Sequence, residues 1–275
     1  MFPSLPSFTS DDDPGPDFSA LLAAAGMPDP GLRDLAFAAA DVPHGTTCVA
    51  IKYDNGVVLA GDRRATSGHQ ISHRTIEKVF QADRHSGVAI AGAAGPAIEM
   101  VKLFQLQLEH YEKVEGKALS LEGKANQLSQ MIRGNLPAAM QGLAVVPIFA
   151  GYDLRRHRGR LFQFDVTGGR YEERLFATTG SGSMHATTVI KLGYNEGQSR
   201  AAAVALAANA LFEAADEDAA TGGPDLIRQV YPIIATIDVD GFERLAQDEV
   251  AGLFGEVMED RRRLVANEGD GEVAR

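Results

Sequence analysis

The composition of this chain changes at Gly45-Thr46-Thr47, and this junction limits where a folded domain can begin. Seven of the chain's 12 prolines precede the junction, together with two short helical candidates, Phe18 to Ala25 and Leu32 to Ala40. Such a leader contains too little apolar surface to fold alone. A strand-like run, Thr46 to Tyr53, follows directly. The folded domain is therefore expected to start at Thr46, and the leader is either a disordered tail or a pro-segment.

Thr46 could act as a nucleophile if the peptide bond between Gly45 and Thr46 were cut. Thr46 would then become an N-terminal residue that carries a hydroxyl nucleophile and a basic α-amine. A nucleophile and its base on one amino acid is a recognised way to activate a weak hydroxyl. The tail interpretation would be the default without this junction.

Charge and composition exclude several classes of protein. The chain has 275 residues, 45% of them apolar, which is enough for one or two packed domains. A net charge of −11 argues against a nucleic-acid-binding protein. The single cysteine, Cys48, excludes an internal disulfide, fits a reducing compartment and is expected in the core. No apolar run reaches the ~18 residues of a membrane span, and the leader lacks a basic n-region, so a cytoplasmic protein is expected.

The order of predicted elements indicates an α+β fold of segregated blocks. Strands come first, then two helices, strands, two helices, a strand and a final charged helix from Asp248 to Leu264. Asp54-Asn55-Gly56 predicts a tight hairpin turn, and Thr167-Gly168-Gly169 predicts another. The last residues, from about 266, are predicted to be a flexible tail.

A threonine nucleophile needs a positive field and a site for an oxyanion. The chain offers Asp62 after the first hairpin, Lys78 before the next strand, and Gly92 in a glycine-rich turn before a helix. Taken singly, these residues are better explained as a turn or capping carboxylate, a solvated strand lysine and a turn glycine. The glycine-rich turn also suggests a phosphate cradle, but it lacks both the Walker and the Gly-x-Gly-x-x-Gly patterns.

Several motifs, in order, give the chain a resemblance to a known family. They are His44-Gly45-Thr46-Thr47, Gly61-Asp62-Arg63-Arg64-Ala65-Thr66, Glu77-Lys78-Val79, Ala91-Gly92-Ala93-Ala94-Gly95, Thr178-Thr179-Gly180-Ser181-Gly182-Ser183 and Asp218-Ala219-Ala220-Thr221-Gly222-Gly223. From about Thr46 to Phe254 the chain resembles the catalytic β subunits of the 20S proteasome, of the actinobacterial type. The family fold is a four-layer αββα sandwich of the N-terminal-nucleophile hydrolase type.

The resemblance implies a threonine endopeptidase and a role for each matched residue. Thr46 is the nucleophile and the base, Asp62 and Lys78 tune it, and Gly92 supplies the oxyanion N–H. Ser181 and Asp218 support the amine, with Thr221 where many relatives have serine. Residues 1–45 become a propeptide removed by autocleavage between Gly45 and Thr46, and residues 46–275 the catalytic domain. No cofactor and no metal are expected.

The resemblance also implies a substrate and an assembly. The substrate is unfolded protein, and the pocket is formed by Ala65, Thr66, Ile76, Ile90, Ala94 and Ile98, so a large apolar residue before the scissile bond is expected. Taken without the resemblance, the apolar members of this set fit ordinary core residues. Partners are proteasome α subunits, two seven-membered β rings in an α7β7β7α7 core, and a ring ATPase that delivers proteins tagged by a small protein modifier. No nucleic-acid or membrane partner is expected.

Three alternatives stay open. A bacterial ATP-dependent peptidase of six-membered rings shares the threonine start, but the long leader and Arg63-Arg64-Ala65-Thr66 disfavour it. The chain could be a different Ntn amidase that acts on a small molecule, but the motif matches around Lys78 and Asp218 would then be coincidental. A structural ring subunit would keep the fold without catalysis, and the presence of Thr46, Asp62 and Lys78 speaks against it.

Overall fold

The structure, a computed structural model, describes residues 45–272, and for residues 264–272 it describes the backbone only. The leader, with its two predicted helices, and residues 273–275 lie outside the described part. Twelve strands and six helices are found within residues 45–272. None of these helices combines the length and apolar character needed to cross a bilayer.

The first sheet contains the strand that follows the junction. Its five antiparallel strands lie in the order β10-β1-β2-β11-β12. They are β1 (Thr47–Tyr53), β2 (Gly56–Gly61), β10 (Phe176–Gly180), β11 (Ile233–Ile237) and β12 (Phe242–Arg244). The predicted hairpin around Asn55-Gly56 joins β1 to β2. Almost every residue of β1 and β2 is buried, so both faces of this sheet are covered.

The second sheet lies beside the first and is also antiparallel, in the order β5-β6-β7-β8-β9. It consists of β5 (Val79–Asp83), β6 (Ser86–Ala89), β7 (Ile148–Asp153), β8 (Arg158–Phe164) and β9 (Arg170–Glu173). A separate hairpin, β3 (Ala65–Ser67) and β4 (Gln70–His73), connects the two sheets along the chain.

Alternation along the strands separates the core into layers. Cys48 and Ala50 of β1 face the second sheet, whereas Val49 and Ile51 face helices on the other side. The layer between the sheets contains small and branched side chains, among them Leu59, Ile148 and Ile237. Cys48 is fully buried there, as predicted.

Helices cover the outer face of each sheet. The second sheet packs against α1 (Ala94–Glu115) and α2 (Leu121–Gly134), which a short α3 (Leu136–Ala139) follows. The first sheet packs against α4 (Ser183–Gly193), α5 (Arg200–Glu217) and α6 (Gln247–Glu272). Alanines at 203, 207, 210 and 214 of α5 allow close approach to β1 and β2. The four layers, αββα, confirm the predicted α+β sandwich.

Element boundaries differ from the sequence-based expectation in three places. Between the turn at Thr167-Gly168-Gly169 and the next helix, the sequence predicts a single strand from Tyr171 to Thr178. The structure instead contains two strands there, β9, paired with β8, and β10, paired with β1. The chain changes sheets at 174–175, and the local sequence does not reveal which sheet each part joins. The β3–β4 hairpin and β12 are short and largely exposed, so their sequences lack the alternation of apolar and polar residues that predicts a strand. The last helix extends to Glu272, past the expected end at 264 and into the range of the predicted tail.

Asp165 organises the predicted turn between β8 and β9. Its carboxylate accepts hydrogen bonds from the Thr167 hydroxyl (2.6 Å), the Thr167 N–H (2.8 Å), the Gly169 N–H (2.9 Å) and the Tyr171 hydroxyl (2.9 Å). These bonds, that of the Thr167 hydroxyl foremost, lower the pKa of Asp165 to about 2. The ionised side chain therefore stabilises the folded state.

The contribution of Asp165 is expected to depend on pH. Because the pKa is lower in the folded than in the unfolded chain, the stabilisation is fully present above the unfolded value of about 3.9 and is lost as the pH falls through about 2. Asp165→Asn should therefore lower the free energy of unfolding at pH 6, and its difference from the wild type should vanish near pH 2. Urea unfolding across this range measures it, with Asp216→Asn on the exposed face of α5 as control. A difference that stays constant with pH would contradict the assignment.

Candidate active site

Thr46 lies directly before β1 and is buried. Its hydroxyl donates a hydrogen bond to the carbonyl oxygen of Gly45 at 2.6 Å, and its N–H donates to Ser181 Oγ at 3.4 Å. β10 is the neighbour of β1, and Gly180, at its end, has a φ of 99°. A Cβ at Gly180 would collide with the Thr46 carbonyl oxygen, so glycine allows the segment of Ser181 to approach Thr46 closely.

Lys78 is buried immediately before β5, and its ammonium group reaches the same carbonyl. Nζ donates to Gly45 O at 2.8 Å, to Asp62 Oδ1 at 2.6 Å and to Arg64 O at 2.5 Å. All three protons of the ammonium are thus engaged. A buried ammonium is tolerated when it is paired and fully hydrogen-bonded, and Asp62 provides the opposite charge.

Asp62 follows β2 and is completely buried. Besides Lys78, Oδ1 accepts from the Thr47 N–H at 2.8 Å. Oδ2 accepts from the N–H groups of Arg64 and Gly222, each at 2.8 Å. The carboxylate therefore joins the start of β1, the end of β2 and the loop after α5 around one charge. This set of contacts makes it a positioning group for Lys78 rather than a simple turn residue.

A second polar group supports the nitrogen of Thr46. Asp218 Oδ2 accepts from the hydroxyls of Ser181 (2.5 Å) and Thr221 (2.6 Å), and Oδ1 accepts from the Ala220 N–H (3.1 Å). Partial burial raises the pKa of Asp218, but the hydrogen bonds from Ser181, Thr221 and the Ala220 N–H outweigh it and hold the pKa below its usual range. Because the Ser181 proton is directed to Asp218, an Oγ lone pair is available to accept from Thr46.

The Thr221 hydroxyl also lies 2.6 Å from that of Thr47, which ties the Asp218 loop to β1. The sequence motifs singled out Thr221 but not Thr47. Thr47, Arg64 and Gly222 are the functional contacts that sequence reasoning missed. All three contribute backbone N–H groups to Asp62, which no side-chain pattern signals.

Gly92 lies between β6 and α1 with a φ of 103°. Its neighbours are fixed, since the Ala93 N–H donates to Ala144 O at 2.8 Å and the Val146 N–H donates to Ala91 O at 2.9 Å. Gly92 also lines the same pocket as Gly45 and Thr46. Gly92 therefore forms part of the wall of the pocket beside Thr46, and its role as an oxyanion donor stays a prediction.

The pocket beside Thr46 is mostly apolar. It is lined by Gly45, Thr46, Lys78, Gly92, Ala65, Ile76, Ile90, Ala91, Ala94 and Ala97. Of the six predicted pocket residues, Ala65, Ile76, Ile90 and Ala94 line it. Thr66 is not part of this lining, although its hydroxyl lies next to Gly45, and Ile98 packs towards the core between α1, α2 and the second sheet. Ala97 was missed, although it shares a helix face with Ala94 at a spacing of three residues.

Gly92→Ala is expected to destabilise the protein by about 1–3 kcal/mol, because the backbone at this position has a positive φ that alanine disfavours and the new Cβ would collide with Ala144 O. Urea unfolding measures the change. Gly95→Ala is the matched control, since Gly95 is helical and a Cβ there meets nothing within 4 Å. That control should be neutral or slightly stabilising. Equal stability of Gly92→Ala and the wild type would contradict the strain assigned to Gly92.

Comparison with known proteins is consistent with this geometry. The family model described as "Proteasome subunit" matches residues 42–227, a range that contains all the polar site residues named above. Curated proteins from actinobacteria are similar over most of the chain.

Three of these relatives are each named proteasome subunit beta. The protein from Acidimicrobium ferrooxidans is 61% identical over 245 residues, which cover 88% of this chain and 89% of the relative. That from Acidothermus cellulolyticus is 57% identical over 238 residues, covering 85% and 81%. That from Streptomyces griseus is 56% identical over 231 residues, covering 84% and 82%.

Proposed function

Because the chain belongs to the proteasome subunit family, as its motifs predicted, we propose that it is the catalytic β subunit of a proteasome core and a threonine endopeptidase. One observation carries the threonine assignment. The Thr46 hydroxyl and the Lys78 ammonium converge on the carbonyl oxygen of Gly45, at 2.6 and 2.8 Å. A hydroxyl nucleophile and a cation that both contact one partly buried carbonyl are the groups that acyl transfer needs.

The first reaction is cleavage of the chain itself. Thr46 Oγ1 forms a bond to the Gly45 carbonyl carbon, and Lys78 stabilises the negative charge that develops on the carbonyl oxygen. The C–N bond then breaks, the hydroxyl proton ends on the released amine, and an ester joins Gly45 to Thr46 Oγ1. Water hydrolyses this ester, which restores the hydroxyl and releases residues 1–45 as an acid. Gly45, with a φ of 113°, permits the backbone geometry of the attack.

The second reaction uses the amine that cleavage has freed. With an ordinary pKa of about 8, an α-amine is partly neutral near pH 7 and can take the Thr46 hydroxyl proton. Ser181, held by Asp218, orients this nitrogen, and the Lys78 charge favours the deprotonated oxygen. A substrate carbonyl is attacked, the leaving amine takes the proton, and water releases the acyl group from Thr46. The Gly92 N–H stabilises the oxyanion.

The apolar lining of the pocket sets the expected substrate preference. Ala65, Ile76 and Ile90 offer no charge to a substrate side chain, so a large apolar residue before the scissile bond fits best. By family resemblance, unfolded protein is the substrate and α subunits are the partners, in a core of two β and two α rings of seven subunits. Delivery of tagged proteins by a ring ATPase, and a location in the cytoplasm, belong to the same proposal.

The test is the intact mass and N-terminal sequence of the chain after co-expression with an α subunit. A new terminus at Thr46, with residues 1–45 removed, is the expected result. A Met1 terminus in a fully assembled particle would favour a structural subunit instead. Particle mass measured on the same sample distinguishes seven-membered from six-membered rings.

A further inference from the structure

Arg63, Arg64 and Arg74 line a second pocket, here called the arginine pocket, close to the active site. Gly222 and Asp225 also line it. Arg64 and Gly222 donate their backbone N–H groups to Asp62, so this pocket shares a wall with the catalytic network. It is a concentration of positive charge in a chain whose net charge is −11.

The cations of this pocket are incompletely satisfied by the described residues. Arg63 Nη2 donates to Thr75 O at 2.9 Å, but the buried Arg63 Nε has no acceptor within residues 45–272. Arg74 is exposed and forms no ion pair with any residue of the described range. The carboxylate of Asp225 is already engaged by Arg228, at 2.8 Å. An additional carboxylate would therefore find free donors here.

The pocket lies next to the bond that is cut. The Lys78 ammonium bonds the carbonyl oxygens of both Gly45 and Arg64, so these two residues are neighbours. Gly45 is also in contact distance of Ala220, two residues before Gly222. Gly45 therefore lies beside the backbone of Arg64, whose side chain lines the arginine pocket.

The segment that arrives at Gly45 is strongly acidic. Residues 1–44 contain one arginine, Arg33, and seven aspartates, which are Asp11, Asp12, Asp13, Asp17, Asp29, Asp34 and Asp41. Asp41 precedes Gly45 by four residues, and four residues of extended chain span at most about 14 Å. The negative charge of the leader is complementary to the arginine pocket, and Asp41 lies within about 14 Å of Gly45, which is itself next to Arg64.

We propose that the arginine pocket binds the carboxylates of the leader, Asp41 foremost, and so holds Gly45 beside Lys78 until the bond is cut. This proposal rests on the proposed function, since it assigns the leader a role in its own removal. The ion pairs would hold the leader in place before cleavage and would be lost when residues 1–45 are released.

Reversing the charges of Asp41 and Arg74 tests whether they pair. The rate of cleavage between Gly45 and Thr46 is measured by mass spectrometry after assembly with an α subunit. Arg74→Glu and Asp41→Lys should each slow cleavage by about two- to fivefold, the size of an exposed ion pair. The double variant, in which the charges are exchanged, should recover most of the wild-type rate. Arg155→Glu, an exposed arginine between β7 and β8, should leave the rate unchanged. Wild-type rates in both single variants, or no recovery in the double variant, would overturn the proposal.

A cross-link tests the docking without relying on cleavage. Cysteines replace Asp41 and Arg74 in a Thr46→Ala chain, and a short bismaleimide joins them; Cys48 is fully buried and protected. The Asp41–Arg74 pair should react well above a control pair that uses Arg155→Cys, and equal yields would refute docking. An efficient cross-link in a chain whose wild type is never cut would instead refute the proposed self-cleavage and leave the docking intact.

Discussion

Replacing Thr46 with alanine is expected to leave the chain at full length and to lower peptidase activity by at least about a thousandfold. The variant lacks the hydroxyl that donates to the Gly45 carbonyl, so neither the acyl shift nor attack on a substrate can begin. The side chain is small and the fold should be retained. Intact mass and hydrolysis of a peptide with a large apolar residue before a fluorogenic leaving group measure the two effects.

Thr46→Ser is the matched control because it keeps the hydroxyl and removes only a methyl group. It should be cut at the same bond and retain measurable activity. Thr47→Ala tests the neighbouring hydroxyl, which contacts Thr221 and not the Gly45 carbonyl, and it should still be cut. Normal processing of Thr46→Ala would show that another group performs the cleavage.

Local sequence patterns predicted the parts of this fold that depend on neighbouring residues. The β1–β2 hairpin was predicted because short polar turn residues, Asp54 and Asn55, lie between two apolar runs. The period of apolar residues along each strand and helix likewise indicates which face is buried. The division of β9 from β10 depends instead on which sheet each strand joins. That choice is made by partners over 100 residues apart for β1 and β10, and a local pattern does not encode it.

In the candidate site, too, local sequence patterns identified some residues, whereas long-range contacts determine how they are arranged. Thr46, Asp62, Lys78 and Gly92 were found through motifs, yet spacing alone favoured ordinary strand or turn roles for the last three. What joins them is long-range contact: Gly222, 160 residues after Asp62, supplies a hydrogen bond to its carboxylate. Backbone donors have no residue-type signature, so this shell could not be read from sequence.

Asp62→Asn is expected to lower the free energy of unfolding by about 3–5 kcal/mol, although the side chain keeps its size. Each carboxylate oxygen of Asp62 accepts two hydrogen bonds. In whichever of its two orientations the asparagine amide is placed, its NH2 group would therefore face only hydrogen-bond donors. The Lys78 ammonium would also lose its buried counter-charge. Urea unfolding in the Thr46→Ala background measures this without interference from cleavage, with Asp216→Asn as the exposed control. A loss no larger than that of the control would contradict the assigned network.

Lys78→Met distinguishes the contribution of the Asp62–Lys78 ion pair to folding stability from its contribution to cleavage. Alone it leaves the Asp62 carboxylate without its cation, and it removes the donor on Gly45 O. Combining it with Asp62→Asn removes both charges, so the double variant should lose less stability than the two single losses added together. Processing should remain absent in a chain that keeps Thr46, because nothing then stabilises the developing oxyanion from the side of Lys78. Recovery of stability without recovery of cleavage would establish that Lys78 acts on the reaction and does more than neutralise Asp62; recovery of both would assign it a structural role alone.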